Sequence, residues 1–518
     1  MSYKGAVYQI PCSSGGFNDN PNIDIIPPQM MVEPSRNINI HEGGKAKRGG
    51  TAKINSTAIT DSPRIAGLID YTLTSGTQYV VTATADGKIY KNSTSTIKTG
   101  LTAGHLADMV VYGNKLYHTN GYDTIQVWDG AAASTSNLAN PAADWGAGDQ
   151  PKQLLVYGKG ASERLWALNS TDQPQRIYAT GVNDDDFVTN VFTLDIDTGD
   201  GIGIVGAVKF QSNLWLFGDR SCYILDDAST SVSDWGYVKG APDVGVAHHR
   251  LICKTPNDVL VMDRNGDIHS IVAVQQTGDF VASSVARPAH IDKWIRRNIK
   301  LDKIAQFHSV YDPIRRAVLF WMVSNASDTV DICLPFFIDR QIDEAWGAPM
   351  DNSSYPCGYH ASCATTIKTT YGDKVYTGDY AGFVWELETN NANDDGNACN
   401  AVYRTPKVTC DNPISIKHFA QSRIIIEPEG IYFLKLKTWI DNNELPEQQI
   451  SLAGAGATLD SFVLDTDELA GAEVIDSGAD IRDYGKRIQH EFYNNNVNET
   501  FFLSNVLIPF RDLGVKHE

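Results

Sequence analysis

The stretch Asp108–Gly130, DMVVYGNKLYHTNGYDTIQVWDG, decides how this chain is read. It holds three short apolar runs, separated by Gly113-Asn114 and by Asn120-Gly121. Gly and Asn accept the backbone angles of a tight turn, and the runs between them are rich in β-branched and aromatic residues. The pattern predicts a meander of three strands, with an aromatic near the end of the unit.

The same unit recurs on both sides. Upstream, Tyr79–Lys91 (YVVTATADGKIYK) turns at Asp86-Gly87. Downstream come Gln153–Thr180, Val205–Asp226, His249–Ile271, Phe307–Gly347 and Gly358–Glu388. Their spacing is irregular but mostly near the ~40–50 residues of a four-stranded propeller blade. One such unit cannot bury its own face, so the units must stack or close into a ring. Closure also removes the edge strands that template aggregation. The expected fold is therefore all-β: a β-propeller of six to eight blades, most simply seven, over residues 56–395. The range stays open because the sixth unit is long enough for an extra hairpin, and the N-terminal arm can complete a blade.

Residues 1–55 are rich in Pro, Gly, Asn and Ile, and read as an extended arm. Asn390–Asn400 (NNANDDGNACN) is a polar linker. Residues 396–518 are expected to form a C-terminal β domain of the small-sandwich kind. In it, His418–Glu444 reads as two long strands around Glu429-Gly430, and Arg487–Gly514 as two more. Ile450–Gly485 between them is acidic and loop-like. One helix is expected, at Ala289–Lys300, where Ile291, Trp294 and Ile295 share a face.

The 518 residues carry 43 basic and 62 acidic side chains, a net charge of −19. Such a surface repels nucleic acid, which argues against a DNA-gripping groove but allows an acidic channel along which DNA slides. The N-terminus lacks the charged start and apolar core of a secretory signal, and no window is long and apolar enough to span a membrane. A cytosolic origin follows as an expectation, and the eight scattered cysteines read as buried reduced thiols.

Candidate chemistry is sparse. Cys357, His360 and Cys363 supply three zinc-ligand types, but no fourth ligand is evident and the spacing fits no common zinc module. Asp263-Arg264-Asn265-Gly266-Asp267 resembles a calcium loop, yet its twelfth position is Val274, and a hairpin turn explains it better. Asn183–Asp186 (NDDD) reads as a solvated loop, and His248-His249 as a hydrogen-bonded or exposed pair leading into a strand. Gly199–Gly206 (GDGIGIVG) opens a strand rather than a helix, so it is not a dinucleotide site. There is no GxSxG, HExxH or phosphate loop. No metal, no cofactor, no catalytic residue and no enzymatic activity are expected.

The order of motifs resembles a known family. Gly15-Gly16-Phe17-Asn18, Pro27-Pro28, Arg36-Asn37-Ile38 and Gly43-Gly44-Lys45-Ala46-Lys47-Arg48-Gly49-Gly50 are similar to the opening of a tail protein of short-tailed bacteriophages. Arg176–Phe187 (RIYATGVNDDDF) and His308–Val323 (HSVYDPIRRAVLFWMV) resemble later phrases of the same family. Leu214–Gly218 reads Leu-Trp-Leu-Phe-Gly where the family has Leu-x-x-Phe-Gly. The family is the tail nozzle, also called the tail hub or packaged-DNA stabilisation protein. The resemblance covers most of residues 15–390 and assigns no channel-lining or fibre-docking residue.

It implies a structural virion protein, assembled in the host cytoplasm as a homohexameric ring below portal and adaptor. Such a ring retains packaged DNA until ejection, lets it pass without sequence preference, and docks fibres or tailspikes. The competing expectations are a carbohydrate-binding or glycoside-hydrolysing propeller and a generic partner-binding propeller, since the fold hosts many functions.

Overall fold

A computed structural model describes residues 5–22, 25–40, 43–159, 162–189, 191–277, 283–352, 354–453 and 475–515. Among the described residues, seven small sheets follow one another along the chain, antiparallel except for one parallel bridge between Thr51 and Asp394 in the last. Blade 1 holds Ile65–Thr72, Gln78–Thr84, Lys88–Lys91 and Ser95–Lys98. Blade 2 begins with Asp108–Tyr112, blade 3 with Gln153–Tyr157 and blade 4 with Gly206–Phe210. Blades 5, 6 and 7 begin with Ile252–Lys254, His308–Asp312 and Cys363–Thr369. Each first strand packs beside the first strand of the next blade, and that of blade 7 packs beside that of blade 1. The chain is a β-propeller.

The turn chemistry is local and behaves as the sequence predicts. Gly113 and Asn114 have φ of 54° and 62°, and Gly87 has φ of 78°. These left-handed angles are what a short hairpin loop demands. Blade 6 has at its centre Ala317–Met322 (AVLFWM), buried at every position, as a strand covered on both faces must be.

The tyrosine at the end of the first strand of each early blade has a specific task. Tyr71 Oη donates to the Asn114 carbonyl at 2.9 Å and Tyr112 Oη to that of Glu163 at 3.0 Å, while Tyr157 Oη lies 2.8 Å from Asp227 Oδ2 and 3.1 Å from the Ser212 carbonyl. Asn114, Glu163 and Ser212 lie in the first hairpin loop of the next blade, and Asp227 follows that blade's third strand. Blade 4 carries Phe210 at that place. Tyr112→Phe and Tyr157→Phe are each expected to cost about 1 kcal/mol, the net worth of one intramolecular hydrogen bond. Urea titration checks this; two unchanged midpoints would show that these hydroxyls do not stabilise the ring.

The N-terminal arm does more than extend. Ala6–Pro11 and Lys45–Lys47 pair with Phe502–Asp512 in the C-terminal domain, while Gly50–Lys53 pairs with Val384–Thr389 as the outer strand of blade 7. One continuous apolar core runs from Ile424, Val506 and Ile508 through Ile10, Phe17 and Ile38 to Trp321 and Trp346 of blade 6 and its flank.

The C-terminal domain is two sheets. One is arranged around Phe502–Asp512; the other holds Ala401–Arg404, Ile488–Asn494 and Phe433–Ile440. Phe433–Ile440 alternates strictly, with Leu434, Leu436, Thr438 and Ile440 inward.

Ser422–Ile426 and Phe433–Ile440 flank Glu429-Gly430 and belong to opposite sheets, so the segment crosses the sandwich; Ile488–Asn494 and Phe502–Asp512 do the same. Two expectations need correction. Ile450–Gly485 is not simply a loop: Gln448–Ser451, Ile475–Ala479 and Asp483–Gly485 are strands, and its middle, 454–474, lies outside the described residues. Ala289–Lys300 contains the expected helix, Ile291–Asn298, but a second helix, Ile271–Thr277, precedes it. Among the described residues, no helix is long and apolar enough to cross a membrane.

Candidate functional site

Two places concentrate buried polar chemistry: the seam between propeller and sandwich, and the propeller axis. The seam is built by the N-terminal arm. Gly15 has φ of 82°, and its neighbour Gly16 passes between backbones. A Cβ on Gly16 would sit 2.4 Å from the Glu344 carbonyl and 2.5 Å from that of Trp346. Only glycine fits this approach. Phe17, next in line, packs edge-on against Trp294 at 5.9 Å. That contact explains why helix Ile291–Asn298 buries the face read from the sequence.

Further along, Asn37 Oδ1 accepts from Arg48 Nε at 2.8 Å and from the Asp351 amide at 2.9 Å. Arg48 grips Asp394 with both nitrogens at 2.9 and 2.8 Å, and both side chains are wholly buried. Thr51 and Asn352 complete the carboxylate's shell at 3.0 and 2.8 Å. The Arg48 guanidinium also stacks on Tyr359, 4.5 Å from its ring centre. Burial alone would raise the Asp394 carboxyl, but Arg48 and these donors hold it below the usual carboxylate range.

The axis is lined by the first strands. A cavity of about 250 Å³ lies among Gly67, Asp108, Gln153, His249, Arg250 and His308. That is room for about eight waters at ~30 Å³ each. Gln153 ties blade 3 to blade 4 by exchanging two hydrogen bonds with the Ala207 backbone at 2.9 and 2.8 Å. Asp108 Oδ2 accepts from the Leu154 amide at 2.8 Å. Burial pushes the Asp108 carboxyl up to about 7, against the lowering effect of these amides and of Arg250.

This shift has a consequence for stability. The folded value lies above the ~3.9 of an unfolded Asp. The native state therefore keeps a proton that the unfolded chain has lost, and this contribution disappears as pH rises through the folded value. Asp108→Asn is expected to flatten the loss of stability between about pH 4 and 7. Urea midpoints at both ends of that window check it, and an unchanged slope would contradict it.

The other sequence candidates disperse. Cys357 lies by Arg48 and Asp394, whereas Cys363 starts blade 7 and lines the axis. Among the described residues, no group of three or more His, Cys, Asp or Glu is placed to hold a metal ion. All eight cysteines are buried and unbridged. Asp263 Oδ1 accepts from the amides of Asn265 and Asp267, both at 2.8 Å, as a hairpin turn requires. Asp185 takes a hydrogen bond from Tyr117 at 2.6 Å and an ion pair from Lys115, joining blade 3 to blade 2. Gly199, Gly201 and Gly203 all have positive φ in a loop that leads into blade 4. The rings of His248 and His249 lie tilted with centres 4.3 Å apart; burial holds both below the usual imidazole range, helped next by Arg250 for His248 and by His248 and then Arg250 for His249.

Arg250, Asp108 and His308 were not singled out by sequence reasoning. A signal existed: Asp108, Gln153 and His308 each lead the first strand of a unit, where the repeat otherwise turns apolar.

No protein-family model and no curated protein matches the sequence. Several solved structures resemble it. One is YCF48 bound to D1 peptide, at 11% identity and a TM-score of 0.38, over 66% of this chain and 96% of that one. Another is an ancestral GH74 enzyme, at 11% and 0.39, over 73% and 53%. A third is an exo-β-1,3-galactanase from Phanerochaete chrysosporium, at 8% and 0.27, over 88% and 99%. At these identities and TM-scores they carry no argument about activity.

Proposed function

We propose that this chain is a non-catalytic structural component of a short bacteriophage tail, the nozzle or hub. Six copies form a ring that continues the DNA channel below portal and adaptor, holds packaged DNA until ejection, and docks fibres or tailspikes. One observation carries this reading. Three of the four N-terminal phrases that resemble the family, Gly15–Asn18, Arg36–Ile38 and Gly43–Gly50, fall on the parts of the N-terminal arm that act as a strap between propeller and sandwich. They are a coherent structural device rather than scattered matches.

The axis of each propeller is not the DNA path. Its cavity of about 250 Å³ cannot admit a duplex whose major groove alone is ~12 Å wide. The channel of the proposed ring therefore lies between subunits, and the net charge of −19 favours sliding over gripping.

A second reading, carbohydrate binding, is favoured by an open groove of about 750 Å³ lined by Arg164, Phe192 and Trp235. Arg164 lies over the Trp235 ring, 5.4 Å from its centre, and Trp166 stacks on the same ring, so the groove wall combines aromatic and cationic groups. Asp184 is the one carboxylate among the described residues lining it, where glycoside hydrolysis uses two.

Proteomics of purified virions together with a glycan array and hydrolysis screen decides between them. The tail reading expects the chain in the virion tail fraction and no signal on glycans. Glycan binding by a chain absent from virions would overturn it.

A further inference from the structure

We propose that the propeller axis is a binding site for one small tetrahedral oxyanion of the phosphate class, with Arg250 as its anchor. The starting observation is an unfinished hydrogen-bond set. Arg250 sits in the turn His249–Leu251 that leads into blade 5. Its Nη2 donates to the Ser362 carbonyl at 2.6 Å, which orients the guanidinium. Its Nη1 is buried and has no partner. A buried, unpartnered cationic donor is costly to leave unmade.

The same cavity holds two more unfinished groups. His308 is 2% exposed and stacks on Trp321 at 5.0 Å, yet its Nε2 has no partner. His249 Nδ1 is likewise buried and unpartnered. Both rings line the cavity together with Arg250 and Asp108. His249, Arg250 and His308, contributed by blades 5 and 6, thus each bring one unpartnered polar atom to the wall of the same cavity.

The chemistry selects the ligand class. Arg250 offers N–H donors to an anionic oxygen, the strong charge-assisted arrangement. Neutral imidazoles can each donate or accept. Hydrogen phosphate presents both bare oxygens for the guanidinium and a P–OH for an imidazole acceptor. Local charge agrees: Arg64 acts electrostatically on Arg250 and Lys152 on the histidine pair, and Asp108, the one carboxylate among the described residues that line the cavity, is pushed toward its neutral form. The axis is a positive spot in an acidic chain. Its volume of about 250 Å³ suits a single oxyanion with a few waters.

The test is calorimetric titration of the full-length chain, dialysed into chloride buffer, with inorganic phosphate and separately with sulfate. The expected result is saturable binding of one phosphate, weakened at least about tenfold in Arg250→Met and only partly restored in Arg250→Lys, which keeps the charge but loses the fork. Sulfate, lacking a proton, is expected to bind more weakly than phosphate.

Hydrogen exchange of the unaltered protein gives a readout that needs no variant. Phosphate is expected to protect the first strands around the axis, including 66–68, 107–109 and 308–309. No saturable binding of either anion would overturn the proposal and leave the cavity a water cluster. Binding unchanged in Arg250→Met, or protection elsewhere, would overturn it equally.

Discussion

Arg48→Met is expected to destabilise the chain by about 3–5 kcal/mol, the cost of stranding a buried carboxylate without its partner. Arg48 and Asp394 are both wholly inaccessible, and their two hydrogen bonds of 2.9 and 2.8 Å are the only ion pair Asp394 makes among the described residues. Removing the cation leaves Thr51 and Asn352 as donors to a charge that burial already disfavours. Arg48→Met/Asp394→Leu is expected to recover part of the loss, because no buried charge then remains unpaired. Chemical denaturation of the single and double variants checks this. A double variant whose loss equals the sum of the two single losses would show that the pair is not coupled. The pair also sets an acid limit: with Asp394 held below its unfolded value, its stabilisation is present above that value and is lost as pH falls through the folded one.

Gly50→Val is expected to open the ring at blade 7. The strand Gly50–Lys53 lies so close to the following turn that a Cβ on Gly50 would sit 1.9 Å from the Asn393 carbonyl and 2.3 Å from that of Asn391. Both obstacles are backbone, so neither can swing aside. The strand must move out, and Val384–Thr389 loses its outer neighbour. The expected cost is about 3 kcal/mol, the upper part of the range for overpacking. Hydrogen exchange checks the mechanism as well as the size: amides of 384–389 are expected to exchange faster while those of blades 2 and 3 keep their protection. Unchanged exchange in 384–389 would show that the N-terminal strand does not hold blade 7.

What the sequence shows and hides follows from the range of each interaction. Hairpins such as that at Gly113-Asn114 were legible because turn chemistry is fixed by adjacent residues. The strap was half legible. Its Gly, Pro and Asn content marked an irregular segment, but its partners lie hundreds of residues away: Arg48 meets Asp394, and Ala6 meets Phe510. No local pattern encodes such pairings. The crossing between sandwich sheets at Glu429-Gly430 was hidden because a turn between two strands looks the same whether or not they pair. Helix Ile271–Thr277 was missed because its seven residues, IVAVQQT, are β-branched and apolar at the start and read equally as strand. The axial residues Asp108, Arg250 and His308 became a site only once three separate blades were brought to one centre.

Native mass spectrometry is the most direct test of assembly into the proposed tail ring. The sample is the full-length chain mixed with the portal and adaptor proteins encoded in the same genome. The expected result is six copies of the chain on one portal–adaptor complex, with the isolated chain free to remain monomeric. A chain that stays monomeric with the adaptor present, or a genome that encodes neither portal nor adaptor, would contradict it.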